Sequence, residues 1–140
     1  MLFIDILDKY LPFDEAYRIP QATADAINRV KSSGKRIIAV GTTVVRALEH
    51  AVNEGKIAAG ENLATERIGV RTQLQVVDAL LSGAHEPGTS HYELLRAFLT
   101  DAELELLTTE LNRREYRTHE FGDSVLVSQT FNKLAEDKSG

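Results

Sequence analysis

Residues 37 to 49 read IIAVGTTVVRALE, which is an apolar run, a glycine, two threonines and then an amphipathic segment. The pattern predicts a short strand over 37–40, a tight turn at Gly41 and a helix from about Thr43 to Asn53. The first turn of such a helix presents unpaired backbone N–H groups and the positive end of the helix dipole, an arrangement that favours a phosphate or a carboxylate. We therefore predict that a small anionic ligand binds at this turn.

The segments on either side of this unit continue the alternation of helix and strand. Upstream, Pro20 suits the first turn of a helix that ends at Gly34. Downstream, Thr65–Val70 is a candidate edge strand. The almost continuous apolar run Leu74–Leu81 predicts a strand that helices cover on both faces.

The C-terminal half predicts two consecutive helices and one more strand. Ser90 with Glu93, and Thr100 with Glu103, have the spacing of capping boxes that begin the two helices. Val125–Val127 is typical of a strand. We expect residues 129–140 to form a frayed tail.

This alternation predicts a single α/β domain over residues 1–140, a layered fold with a mostly parallel sheet and helices on both faces. In a parallel sheet the loops that follow strands leave from one edge, where ligands bind. The two loops concerned are residues 41–43 and 82–90. We expect the functional site where they meet.

Composition limits the classes of function. The chain has 140 residues, no cysteine and a formal net charge of −5, so thiolate chemistry is excluded and a basic nucleic-acid-binding face is disfavoured. No apolar run approaches the roughly 20 residues that span a bilayer. We expect a cytoplasmic protein with enough apolar side chains, 43% of the total, for one core.

Several motifs resemble those of one enzyme family. Residues 40–49 are similar to the Val-Gly-Thr-Thr-x-Val-Arg-x-Leu-Glu signature of the S-adenosylmethionine:tRNA ribosyltransferase-isomerases of queuosine biosynthesis. The strand over 77–81 and the segment from His85 to Ser90 resemble the family's strand and its His-Leu-Pro-Lys-Ser-Thr loop, although the loop lysine is Gly88 here. Tyr116–Arg117 and residues 121–124 are similar to the family's closing stretch.

The resemblance runs from Glu15 to Val127 and corresponds to the C-terminal part of the family's proteins. The family's N-terminal segment and inserted β-barrel have no counterpart in these residues. We therefore interpret the chain as a divergent member of the family, or as an excised and incomplete part of one.

The resemblance implies transfer of the ribosyl portion of S-adenosylmethionine to a deazaguanine base in tRNA, with release of adenine and methionine and without a metal. In that reaction Gly41, Thr42, Thr43 and Arg46 would hold the carboxylate or another anionic part of the co-substrate. His85 would transfer a proton, and Asp123 would be its partner as acid or base. Beyond S-adenosylmethionine, the resemblance implies tRNA as a partner of a full-length protein, with only weak binding to this acidic chain.

Each candidate residue also has a purely structural interpretation. Thr42 and Thr43 are typical helix caps, and Glu49 is spaced to form a surface ion pair with Arg46. Asp123 is placed to fix a turn, and His50 to lie on the surface. The histidines lack a close ligand spacing such as His-x-x-x-His, so we predict no metal site.

A second function from another class stays open. The chain could be a non-catalytic α/β module that binds a small molecule or self-associates. Its acidic balance and the missing barrel support that alternative.

Overall fold

Four helices and seven strands make up the parts of the chain that the computed structural model describes, which are residues 14–83, 90–115 and 123–129. The helices are α1 (Gln21–Ser32), α2 (Thr42–Ala51), α3 (Ser90–Leu95) and α4 (Asp101–Arg113). The strands are β1 (Glu15–Ile19), β2 (Ile38–Val40), β3 (Val52–Asn53), β4 (Lys56–Ile57), β5 (Gly60–Ala64), β6 (Ala79–Gly83) and β7 (Ser124–Ser128). None of the helices in these ranges is long and apolar enough to cross a membrane.

The α/β class is confirmed, and the strands form three small sheets. The largest has the order β2-β6-β7, in which β2 and β6 are parallel whereas β6 and β7 are antiparallel. The other pairs, β1 with β5 and β3 with β4, are antiparallel. The prediction of a mostly parallel sheet is therefore wrong, because one of the four described strand pairs is parallel.

A local connection explains the antiparallel pairing of β3 with β4. Glu54 and Gly55 form a two-residue link between β3 and β4, and both have positive φ, 51° and 79°. Such a link suits a hairpin turn and cannot return the chain for parallel pairing. The strand β7 begins opposite Gly83, at the edge where β6 ends, and so runs the other way.

The predicted helices are confirmed and two strand predictions need correction. Pro20 is the N-cap of α1, and Thr100 and Glu103 form the predicted capping box of α4. In contrast, Thr65–Val70 is not a strand, since β5 lies earlier, and β6 begins at Ala79 rather than at Leu74. The side chains of Ser90 and His91 lie outside the described residues.

The core lies on one face of the three-stranded sheet. Ala39, Leu80 and Val127 form one row across that face and belong to the same buried cluster as Val45 and Phe98 from the helical half of the molecule. The opposite face carries a second row, Val40, Leu81 and Leu126, with 67%, 38% and 65% of their surface exposed. Helices cover the first face, whereas within the described ranges the second is open to solvent.

The last predictions concern the C-terminal tail and the extent of the domain. Gln129, assigned above to the frayed tail, donates a hydrogen bond from Nε2 to the Ala97 carbonyl at 3.2 Å. Residues 130–140 lie outside the described ranges, and the single domain over 1–140 stays a prediction.

Candidate functional site

The strand ends that carry the predicted site meet at one edge of the three-stranded sheet. The Gly41 N–H, directly after β2, donates to the Leu81 carbonyl of β6 at 2.9 Å. Gly83 at the end of β6 pairs with Ser124 at the start of β7, so Asp123 lies at this same edge. Asp123, one of the two predicted catalytic residues, therefore lies next to the end of β6. His85 lies outside the described residues.

The turn before α2 has the backbone geometry of a helix entry without a side-chain cap. Gly41 is the N-cap, with φ of 98°, a left-handed conformation that L side chains rarely adopt, and no side chain caps the helix there. Thr42 is buried and Thr43 is exposed. Since Gly41 is the N-cap, the capping interpretation of the two threonines is not met, and α2 begins directly at the sheet edge.

Arg46 is a buried arginine on α2, 8% exposed. Its Nη2 donates to the carbonyls of Ala64 at 3.1 Å and Glu66 at 3.4 Å, and its Nη1 lies 3.4 Å from Glu15 Oε2. The guanidinium thus connects α2 to β1 and to the end of β5. Its role in anion binding stays a prediction, and the structure adds a positioning role that the sequence did not indicate.

Glu49 has a different partner set from the surface ion pair considered above. Its carboxylate oxygens accept three backbone hydrogen bonds at 2.9 Å, from the N–H groups of Gln75, Val76 and Val77. These residues precede β6, and their N–H groups bond to a side chain instead of to a neighbouring strand. The predicted early start of β6 was wrong for this reason.

A cavity of about 650 Å³ opens beside the N-terminal turn of α2. Its walls are β1, the start of α1 at Pro20 and Thr23, and the α2 side chains Thr43, Val44 and Ala47. The volume lies within the range of roughly 300–1,000 Å³ that is typical of small-molecule sites. Thr43 is the predicted site residue that lines it.

Tyr17 and His50 form a contact that the sequence did not reveal. The Tyr17 hydroxyl lies 2.8 Å from His50 Nδ1, and the two rings meet edge to face with centroids 5.6 Å apart. Burial raises the pKa of the Tyr17 phenol above its ordinary value of 10.0. His50 was predicted to lie on the surface, but it is half-buried because β1 packs beside α2.

No group of three or more histidine, aspartate or glutamate side chains within the described ranges could hold a metal ion. The sheet edge and the cavity instead offer backbone N–H groups, hydroxyls and the Glu15 carboxylate. These groups suit a polar organic ligand that has an anionic part.

Comparisons with known proteins agree with the motifs. The family model described as queuosine biosynthesis protein matches residues 4–127. Two proteins named S-adenosylmethionine:tRNA ribosyltransferase-isomerase are similar to the chain. The one from Citrifermentans bemidjiense is 40% identical over 125 residues, and the one from Thermus thermophilus is 41% identical over 122 residues. These alignments cover 89% and 86% of this chain but 36% and 35% of the relatives.

A solved structure has the same fold. The crystal structure of S-adenosylmethionine tRNA ribosyltransferase from Thermotoga maritima superimposes with a TM-score of 0.70 and 30% identity, over 79% of this chain and 39% of that one. The chain thus spans about a third of the length of the curated relatives it matches. Since the family model covers nearly all of its residues, from 4 to 127, the chain belongs to the queuosine biosynthesis protein family.

Proposed function

We propose that this chain provides the S-adenosylmethionine-binding part of a tRNA ribosyltransferase-isomerase. In the complete reaction the ribosyl portion of the co-substrate passes to a deazaguanine base in tRNA, and adenine and methionine leave. One observation carries the proposal: Gly41, Gly83 and Asp123 meet at one edge of the sheet, where the family motifs lie. A tRNA acceptor implies the cytoplasm as the site of the reaction.

The turn at residues 41–43 is the proposed site for the carboxylate of the methionine part. Backbone N–H groups and the helix dipole of α2 attract a negative charge at this point. Arg46 lies in the next turn of the same helix, and its hydrogen bonds to the Ala64 and Glu66 carbonyls keep the helix fixed against β5. Binding at this turn needs no metal.

His85 and Asp123 are the proposed proton-transfer pair. A base removes a proton from the carbon beside the sulfonium centre, and an acid donates a proton to the departing adenine. Asp123 lies at the edge where β6 ends, and His85 follows Gly83 by two residues in the sequence. A shared role is supported because His85 follows the end of β6 by two residues in the sequence and Asp123 lies beside that same strand end.

The tRNA acceptor requires a basic surface that this chain offers only weakly. Its formal net charge is −5, whereas binding to a phosphate backbone depends on lysine and arginine side chains that displace counterions. We therefore propose that S-adenosylmethionine binds to these residues and that tRNA affinity comes mainly from the rest of a full-length family protein.

Isothermal titration calorimetry of the chain with S-adenosylmethionine, and separately with tRNA, tests this proposal. We expect one bound S-adenosylmethionine per chain and little heat from tRNA. Thr43→Val should weaken binding by about threefold to tenfold, since one hydrogen bond is lost, whereas the exposed Thr65→Val control should not. Absence of S-adenosylmethionine binding by the unmodified chain would overturn the proposal.

The catalytic assignment has its own measurement. In a full-length family protein that carries this segment, His85→Ala and Asp123→Asn should slow adenine release while S-adenosylmethionine still binds. Wild-type turnover in both variants would remove these residues from the proton-transfer step.

The second candidate function is self-association, which the open row of Val40, Leu81 and Leu126 favours. Contiguous exposed apolar surface is typical of interaction sites. Sedimentation equilibrium should then detect a dimer that Leu126→Lys disrupts and that Leu106→Lys, at a leucine of α4 with 67% exposure, does not. A monomer that binds S-adenosylmethionine would reject this candidate.

A further inference from the structure

The cavity between β1 and α2 is chemically divided. Its walls at Ile19, Pro20, Val44 and Ala47 are apolar, whereas Glu15, Thr23 and Thr43 bring polar groups to it. A mostly apolar pocket with a few convergent polar groups is typical of sites for small organic molecules. The ligand that matches these walls has a flat apolar part and a part rich in hydrogen-bond donors.

Glu15 and Arg18 are the charged residues among the cavity walls, and Glu15 is the one of the two that can accept hydrogen bonds. Its side chain is 35% exposed, and its Oε2 is buried with Arg46 Nη1 at 3.4 Å, so Oε1 is the oxygen that a ligand in the cavity can reach. A carboxylate has about four acceptor positions, and this ion pair occupies one side of the group. Arg46 fixes the carboxylate at the cavity wall.

We propose that this cavity binds the nucleoside half of S-adenosylmethionine, with the purine between the apolar walls and the ribose hydroxyls donating to Glu15. The inference rests on the proposed function and deepens it. A carboxylate is suited to this contact because one of its oxygens can accept from two neighbouring hydroxyls, and acidic residues bind ribose hydroxyls in many dinucleotide sites.

The cavity adjoins the turn where the other end of the co-substrate is proposed to bind. Thr43 belongs to both the cavity wall and the N-terminal turn of α2, where the methionine carboxylate is proposed to bind. A molecule with an adenosine at one end and an amino acid at the other can therefore contact both places. The two ends are held by different chemistry, which allows each to be tested separately.

The experiment titrates the chain with adenosine, with 2′,3′-dideoxyadenosine and with S-adenosylmethionine. We expect adenosine to bind, and dideoxyadenosine to bind roughly tenfold or more weakly, because it lacks the hydroxyls that donate to a charged acceptor. Changing the ligand leaves the Glu15–Arg46 ion pair intact, so the result does not depend on the folding of a variant. Equal affinity for the two nucleosides would overturn the role of Glu15.

A cavity-filling variant tests the location. Ala47→Phe should abolish adenosine binding, whereas Ala102→Phe, at an exposed alanine of α4, should leave it unchanged. If Ala47→Phe binds adenosine and S-adenosylmethionine as tightly as the unmodified chain, the cavity is not the nucleoside site, and the proposed function survives. If the unmodified chain binds adenosine but not S-adenosylmethionine, and Ala47→Phe abolishes the binding of adenosine, the proposed function fails and the nucleoside site stands. Absence of adenosine binding overturns the inference.

Discussion

Arg46 Nη1 lies 3.4 Å from Glu15 Oε2, and this contact joins a helix next to the sheet edge to the strand that forms a wall of the cavity. The arginine is nearly buried, and it also donates to the carbonyls of Ala64 and Glu66. A single side chain thus fixes the position of β1 and of the end of β5 relative to α2. The cavity depends on that arrangement.

Arg46→Met should destabilise the chain by about 2–4 kcal/mol, because it leaves a partly buried carboxylate and two carbonyl acceptors without their donor. The matched control is Arg18→Met, since Arg18 also pairs with a glutamate, Glu61, at 3.8 Å, but on the surface with side chains 75% and 78% exposed. Its effect should be within about 0.5 kcal/mol. Urea unfolding followed by far-UV circular dichroism measures both, and equal losses would contradict the structural role of Arg46.

Glu49→Gln should loosen the segment before β6. The substitution replaces a carboxylate that accepts from Gln75, Val76 and Val77 by a neutral amide with one acceptor oxygen. We expect a loss of about 1–3 kcal/mol and faster amide exchange at these three positions. Hydrogen exchange measured by NMR checks this, with Glu105→Gln on the exposed face of α4 as the control. Unchanged protection at residues 75–77 would show that the carboxylate does not hold this segment.

Gly41→Ala should destabilise the turn before α2 by about 1–2 kcal/mol, because φ of 98° is unfavourable for a residue with a Cβ. The effect is conformational, since a Cβ at this position meets nothing within 4 Å. Gly69→Ala is the matched control, because its space is equally open and its φ is not in the positive range. Thermal unfolding should separate the two variants, and equal midpoints would contradict the strain argument.

Tyr17 should make stability depend on pH in the alkaline range. Burial raises the pKa of its phenol above 10.0, so the folded protein holds the proton more tightly than the unfolded chain does. The contribution of this phenol to the free energy of unfolding is therefore fully present below pH 10.0 and is lost as the pH rises through the folded-state pKa. The stability difference between the unmodified chain and Tyr17→Phe should shrink above pH 10, and a constant difference from pH 8 to above 10 would contradict this.

Features of the fold that depend on neighbouring residues were predicted better than features that depend on long-range contacts. The helix after Gly41 and the Thr100–Glu103 capping box follow from residues that are neighbours in the sequence, and both are confirmed. The sequence also predicted that β2 and β6 end at the same edge, since parallel strands end on the same side. The antiparallel direction of β7 did not follow, because it depends on where the preceding helices return the chain.

The candidate site was predictable only in part for a related reason. The glycine turn and Asp123 are marked by motifs, and the structure brings both to one sheet edge. The cavity wall from Glu15 to Ile19 was not predicted, because its position depends on pairing with β5 and on the contacts of Arg46 and His50. Nothing in the sequence near Tyr17 indicates that its hydroxyl meets a histidine of α2.

The open row of Val40, Leu81 and Leu126 has a practical consequence for experiments on the isolated chain. Fluorescent dyes such as ANS bind contiguous apolar surface, so the fully folded chain should already enhance their emission. Dye fluorescence would then rise before any unfolding takes place, and a fluorescence-based melting curve would begin from a high baseline. The near-ultraviolet dichroism of the tyrosines reports loss of side-chain packing without that interference.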